Sequence, residues 1–229
     1  MKIQVGLFVS LLLSIAVTAP ADQTRTDVVE RLQSGTTVLH QMMNTPDKGI
    51  PDEVLRGAKC IAVVPGLIKG GFIVAGQHGR GIATCRLPKG TWSAPAFFAI
   101  SGGSWGAQIG GKSTDLVMFI MNDQGMNDLL AGHIKVGADV SAAAGPVGRS
   151  ASADAGFKAG ILTYSASKGA FIGASLNGAE LQQDGKATRE WYGKDVPFKD
   201  ILQGNVPIPN EDARAFVSAV QSAKEASTR

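Results

Sequence analysis

Apolar residues change their spacing twice along this chain, and the changes divide it into three textures. From Thr26 to Met43, Val28, Leu32, Leu39 and Met42 recur at helical spacing, and Val29 and Met43 widen the stripe. Thr24 or Thr26 supplies an N-cap, and Pro46 forbids continuation. A second, short helix is predicted over Pro51–Lys59, with proline in its first turn. From Cys60 to Gln183 the period shortens. Cys60–Val64, Gly71–Ala75, Gly81–Arg86, Trp92–Ile100, Leu116–Met121, Ile134–Val140, Ala159–Ser165, Ala170–Leu176 and Ala179–Gln183 are apolar or alternating runs, punctuated by Gly, Pro, Asn and Asp. They predict strands, mostly antiparallel because the connections are short. Asn177-Gly178 is a tight-hairpin signal, and Asp184-Gly185 marks a further turn. One helix, Asp123–Ala131, interrupts the series. The chain returns to helix after Asn210, which caps a segment with Glu211 and Asp212 in its first turn and Ala213, Phe216, Val217 and Val220 on one face. Helices at both ends of a strand-rich middle predict an α+β fold: Gly-rich, mostly antiparallel strands in a curved sheet or barrel-like core, flanked by N- and C-terminal helices.

Ahead of the first helix lies a different kind of pattern. Lys2 is followed by an apolar run from Val5 to Val17 and by Ala19-Pro20-Ala21, the three-part layout of a secretory signal peptide. The apolar run is too short for a good membrane span. Residues 1–21 are therefore predicted to be removed, leaving one domain over 22–229 in the periplasm or outside the cell. The 22 Lys and Arg against 19 Asp and Glu become 21 against 19 without Lys2, an excess of about two that does not point to nucleic acid. Glycine numbers 29, almost twice the ordinary share, which fits tight turns and close backbone approach. In an oxidising compartment Cys60 and Cys85 form one disulfide or else stay as two buried thiols; the sequence leaves both open.

Three motifs imitate catalytic sites. Gly102-Gly103-Ser104-Trp105-Gly106 matches a nucleophile elbow, with Asp115 and His133 following in the order of a hydrolase triad, yet no helix follows Ser104. Gly106 to Ser113 satisfies the phosphate-loop pattern, but the segment after Lys112-Ser113 reads as a strand where a helix is required. Tyr164 and Lys168 have the spacing of a short-chain dehydrogenase pair, without the glycine turn that leads into a helix in that class. His40, His78 and His133 are scattered, with no metal-ligand spacing. No cofactor and no nucleotide is expected.

The same stretches, taken in order, resemble the SYLF family, whose eukaryotic members join this domain to Src-homology or lipid-zinc-finger modules. The resemblance is carried by Ile61-Ala62-Val63-Val64-Pro65-Gly66, Lys69-Gly70-Gly71-Phe72, Gly79-Arg80-Gly81, Trp92 to Phe97, Gly106 to Gly111 with Thr114-Asp115-Leu116, Gly137-Ala138-Asp139, Gly145 to Arg149, Tyr164 to Gly173 with Asn177-Gly178, and Trp191-Tyr192-Gly193. It implies a non-catalytic domain that binds phospholipids. Eukaryotic relatives bind phosphoinositides and, in fungi, bundle actin, whereas bacterial relatives are exported. For an exported bacterial chain only anionic-lipid binding carries over. The resemblance also implies that an N-terminal amphipathic helix engages the membrane. Here that stretch has Arg31 but no Lys, a weakly basic version.

The expected partner is thus a phospholipid or membrane surface of the cell envelope. Lys69, Arg80, Lys112, Arg149 and Lys168 are the candidate headgroup contacts, each beside Gly or a turn where backbone approaches a phosphate. The alternatives are an envelope structural or protein-interaction module, with helix Thr26–Met43 covering the domain's own core, and a hydrolase using Ser104.

Overall fold

A computed structural model describes residues 24–44, 50–71, 74–105, 110–139, 141–146, 159–167, 170–173, 176 and 178–226. Helix α1 runs over Arg25–Met43 and α2 over Asp52–Gly57. Strands β1 (Cys60–Gly71), β2 (Val74–Cys85), β3 (Ala96–Trp105) and β4 (Gly110–Ile120) follow, then α3 (Asp123–Leu130). Five short strands come next: β5 (His133–Lys135), β6 (Ala142–Ala144), β7 (Ile161–Ser167), β8 (Ala170–Gly173) and β9 (Ala179–Gln183). The chain closes with α4 (Gly185–Tyr192), α5 (Phe198–Leu202) and α6 (Glu211–Ala226). The strands form one sheet in the order β5-β9-β3-β2-β1-β4-β7-β6, with β8 added to β7. Every pairing is antiparallel except β6 with β7. The fold is α+β, with a curled sheet and helices at both ends of the chain.

Alternation along the strands feeds two cores. Ile61, Val63, Ile82, Phe97, Val117, Phe119, Leu162 and Tyr164 meet α1, α2, α4 and α6 on one face. Ala62, Val64, Ala83, Phe98, Ile100, Leu116 and Met118 meet α3 and α5 on the other. Full burial of each large apolar side chain contributes roughly 1.5–3 kcal/mol, so the sheet is held from both sides. A reciprocal capping box starts α1: Asp27 N–H donates to Thr24 Oγ1 at 3.4 Å, and Thr24 N–H donates to Asp27 Oδ2 at 3.1 Å. Gly35 lies at its closest approach to the sheet, where a Cβ would stand 2.9 Å from Ile82 Cδ1.

The strands are longer than the apolar pattern predicts. β1 runs through Pro65-Gly66 to Gly71, and β4 starts at Gly110, six residues before Leu116. A bulge absorbs Pro65 and Gly66 opposite the single residue Asp115. Gly66 adopts φ +63° there, which suits glycine, and its N–H donates to Asp115 Oδ1 at 2.9 Å. Asp184-Gly185, expected as a turn, instead starts α4: Asp184 Oδ1 accepts from Ala187 N–H at 3.0 Å. Gly178 does turn the chain, but β9 pairs with β3 and β5 and not with β8, so no tight hairpin forms there. The run Ile134–Val140 ends early, because Gly137 turns at φ +94°.

Cys60 and Cys85 are direct partners at the inner ends of β1 and β2, with Cα atoms 4.0 Å apart, and their sulfurs are bonded. Both are fully buried. Ser93 stitches the adjoining segment to the same point: its Oγ accepts from Cys85 N–H at 3.0 Å, and its N–H donates to Cys85 O at 2.9 Å.

Candidate functional site

Backbone register places the candidate cations. At their outer ends β3, β2, β1 and β4 lie side by side, and successive cross-strand rungs can be followed outward. One rung holds Ser101, His78, Ile68 and Ser113; the next holds Gly102, Gln77, Lys69 and Lys112. Beyond them come Gly103, Gly76, Gly70 and Gly111. Lys69 and Lys112, far apart in sequence, are thus direct partners across β1 and β4, with glycine next to each on the outer side. Lys69 is half-buried.

Arg80 does not join them. It sits at an even position of β2, on the face that carries Ile82 and is covered by α1, while Lys69 and Gln77 share the opposite face. Arg80 is exposed and close enough to Arg31 to push against its charge. Arg149 and Lys168 lie outside the described residues, as does the predicted signal peptide. Ile68 is 57 % exposed and Ile172 52 %; they stand on opposite faces of the sheet and form no common patch.

α1 is a cover and not a free amphipathic helix. Val28, Leu32, Leu39 and Met42 are buried against the sheet and α6. Arg31, its one basic residue at mid-helix, points inward: Nη1 and Nη2 donate to Asp184 Oδ2 at 3.1 and 3.2 Å, and the guanidinium stands 5.6 Å from the Phe97 ring. Burial pushes the Arg31 guanidinium below its ordinary pKa, and Asp184 opposes that shift. Arg25 ties the helix start to α4, donating to Glu190 O at 3.1 Å with its guanidinium 5.1 Å from the Trp191 ring. The apolar face of α1 is thus occupied, and the face left exposed is polar, with Glu30, Gln33, Thr37 and Gln41.

The catalytic look-alikes come apart. Ser104 lies in β3 and Lys112-Ser113 in β4, each inside a strand with no helix starting there. His133 is in register with Gln182 and through it with Ala99, five residues from Ser104 along β3, or roughly 16 Å. The His133 Nε2 is hydrogen-bonded to Glu180 Oε1, and Asp115 serves the bulge. A cavity of about 580 Å³ is lined by Trp191, Tyr192, Val196, Pro197 and neighbouring loop residues, and His133 is not among its described lining residues. Tyr164 is fully buried and donates its hydroxyl to Pro146 O at 2.9 Å; burial pushes its pKa well above the ordinary phenol value, away from acid–base work. Among the described residues there is no group of three His, Cys, Asp or Glu side chains placed to hold a metal ion. No helix among them is long and apolar enough to cross a membrane.

The geometry defines a disulfide-tied α+β domain whose four long strands end in glycine-rich rungs just beyond Lys69 and Lys112. The chain belongs to the Ysc84, or SYLF, family: the family model described as "Las17-binding protein actin regulator" matches residues 101–223, just over half of the chain. Among its relatives, LAS seventeen-binding protein 3 of Saccharomyces cerevisiae is 40% identical over 169 residues, 71% of this chain and 36% of the relative. Protein YSC84 of the same yeast is 38% identical over 168 residues, with the same coverage. SH3 domain-containing YSC84-like protein 1 of Homo sapiens is 37% identical over 169 residues, 72% of this chain and 49% of the relative. The chain thus spans between a third and a half of the length of these relatives. No solved structure matches it.

Proposed function

We propose that this chain is a non-enzymatic phospholipid-binding protein of the bacterial cell envelope, contacting anionic headgroups through Lys69 and Lys112 at the outer end of β1 and β4. The observation that carries this reading is the direct pairing of the two lysines beside bare glycine backbone. Two cations in one backbone rung attract a phosphate-bearing headgroup, and glycine beside each lets the backbone approach it. Arg80, on the other face, is left out of the site. The predicted leader over 1–21 and the fully buried disulfide both suit an oxidising compartment outside the cytoplasm.

Each lysine near an anionic membrane surface is worth about 1 kcal/mol, so replacing both with Gln lowers vesicle affinity by roughly 30-fold. Co-sedimentation of the chain with phosphatidylglycerol-containing vesicles, at low salt and at a salt concentration that screens exposed charge, tests this. Unchanged binding by the Lys69→Gln, Lys112→Gln variant removes the pair from the site.

A second reading, a protein-interaction module, draws support from the relatives named as Las17-binding. Capture of a protein from envelope extract by a chain that ignores vesicles would favour it.

A further inference from the structure

We propose that this chain meets the membrane end-on, with the outer end of β1 to β4 entering the interface and the Lys69–Lys112 rung stopping at headgroup level. The inference rests on the lipid reading above and adds an orientation and a depth to it.

The described outer ends of β1, β2, β3 and β4 lie at the same end of the sheet, because Gly71 pairs with Gly110 and Val74 with Trp105. Outward of the lysine rung, the described residues of these four strands are Gly, Ala, Ser, Val and Trp only, and none carries a charge. The outermost described rung joins Val74 to Trp105, three residues beyond Gln77 along β2, or roughly 10 Å at the ordinary rise of a strand. An element lying in a lipid interface sinks about 5–10 Å below the headgroups, so lysines placed this far back sit where phosphates are. Tryptophan is a residue that settles at that boundary.

Backbone pairing sets the limit on depth. The β1–β2, β2–β3 and β1–β4 ladders satisfy the inner backbone groups of this end. The flanking strands stop earlier: β9 leaves β3 at Gly102, and β7 leaves β4 at Asp115. Among the described residues, the outer edges of β3 and β4 beyond those points have no strand neighbour. Such edges are costly in hydrocarbon and tolerable among headgroups and water. The result is shallow insertion and not a span.

The chain's three tryptophans make the test direct, since Trp92 and Trp191 are buried at 4% and 3% exposure. The full chain is bound to vesicles of phosphatidylcholine and phosphatidylglycerol brominated on their acyl chains, and tryptophan emission is recorded. Quenching is expected on binding, and Trp105→Phe should lose most of it while still co-sedimenting. Val74→Glu is expected to lower vesicle partition roughly tenfold with no change in the unfolding midpoint. Bound protein that shows no quenching, or the same quenching with Trp105→Phe, means surface contact only and overturns insertion while leaving lipid binding in place. Failure of the native chain to co-sediment overturns both.

Discussion

Replacing Asp184 with Ala removes two things at once, and their sizes follow from the structure. Asp184 accepts both Arg31 guanidinium nitrogens, with the two side chains 6% and 11% exposed, and it caps α4 through Ala187 N–H. Removing one member of a charge pair this buried costs about 3–5 kcal/mol, and losing an N-cap costs about 1 kcal/mol. Asp184→Ala should therefore lose roughly 4–6 kcal/mol, a large part of the 5–15 kcal/mol typical of a whole domain. Urea unfolding followed by circular dichroism measures this as a lower midpoint at constant slope. Asp184→Asn retains an acceptor for Ala187 and should lose about 1 kcal/mol less. The double variant Arg31→Met, Asp184→Asn removes both buried charges together and should recover most of the deficit. A loss below about 1 kcal/mol in Asp184→Ala would refute the placement of Arg31 as an internal anchor. It would also restore α1 as a helix free to leave the sheet.

Other consequences follow from burial and covalent linkage. Reducing the Cys60–Cys85 bond, or replacing both residues with Ala, releases a segment closed across 25 residues and should cost about 3.5 kcal/mol in a denaturant titration by the chain-entropy relation. The chain's only two tyrosines, Tyr164 and Tyr192, both have pKa values raised by burial from 10.0. A raised folded value means stability is intact below pH 10 and falls as pH climbs above it, by up to about 1.4 kcal/mol per pH unit for each tyrosine. A stability-against-pH series should show that decline, with phenolate absorbance appearing only as the protein unfolds; phenolate forming in a fully folded protein would contradict it.

Much of the fold was legible because side-chain period and capping residues agree. α1 and α6 carry apolar stripes with Thr24 or Thr26 and Asn210 offered as caps, and the structure bears out both helices, and the span of α3, to within a residue or two, with Thr24 as the α1 cap. The glycine-rich outer halves of β1 to β4 were hidden, because strands paired glycine to glycine have no alternation to read. α4 was hidden behind Asp184-Gly185, where a cap and a turn have the same spelling. The lysines were visible one by one, but their pairing depends on a register fixed by the Pro65-Gly66 bulge, which no local pattern announces. Arg31 looked like a surface cation because its partner Asp184 lies 153 residues away.

The orientation of the membrane-bound chain bears most directly on the whole account. Gly103 lies in the rung beyond the lysines with nothing within 4 Å of an added Cβ, and Glu30 is exposed on α1. Nitroxide labels on Gly103→Cys and Glu30→Cys, bound to phosphatidylglycerol-containing vesicles, report their depth through relaxation by oxygen and by a water-soluble nickel complex. A label at 103 shielded from nickel, with the label at 30 still open to it, is the predicted result. The reverse pattern would contradict the account and give the membrane to α1.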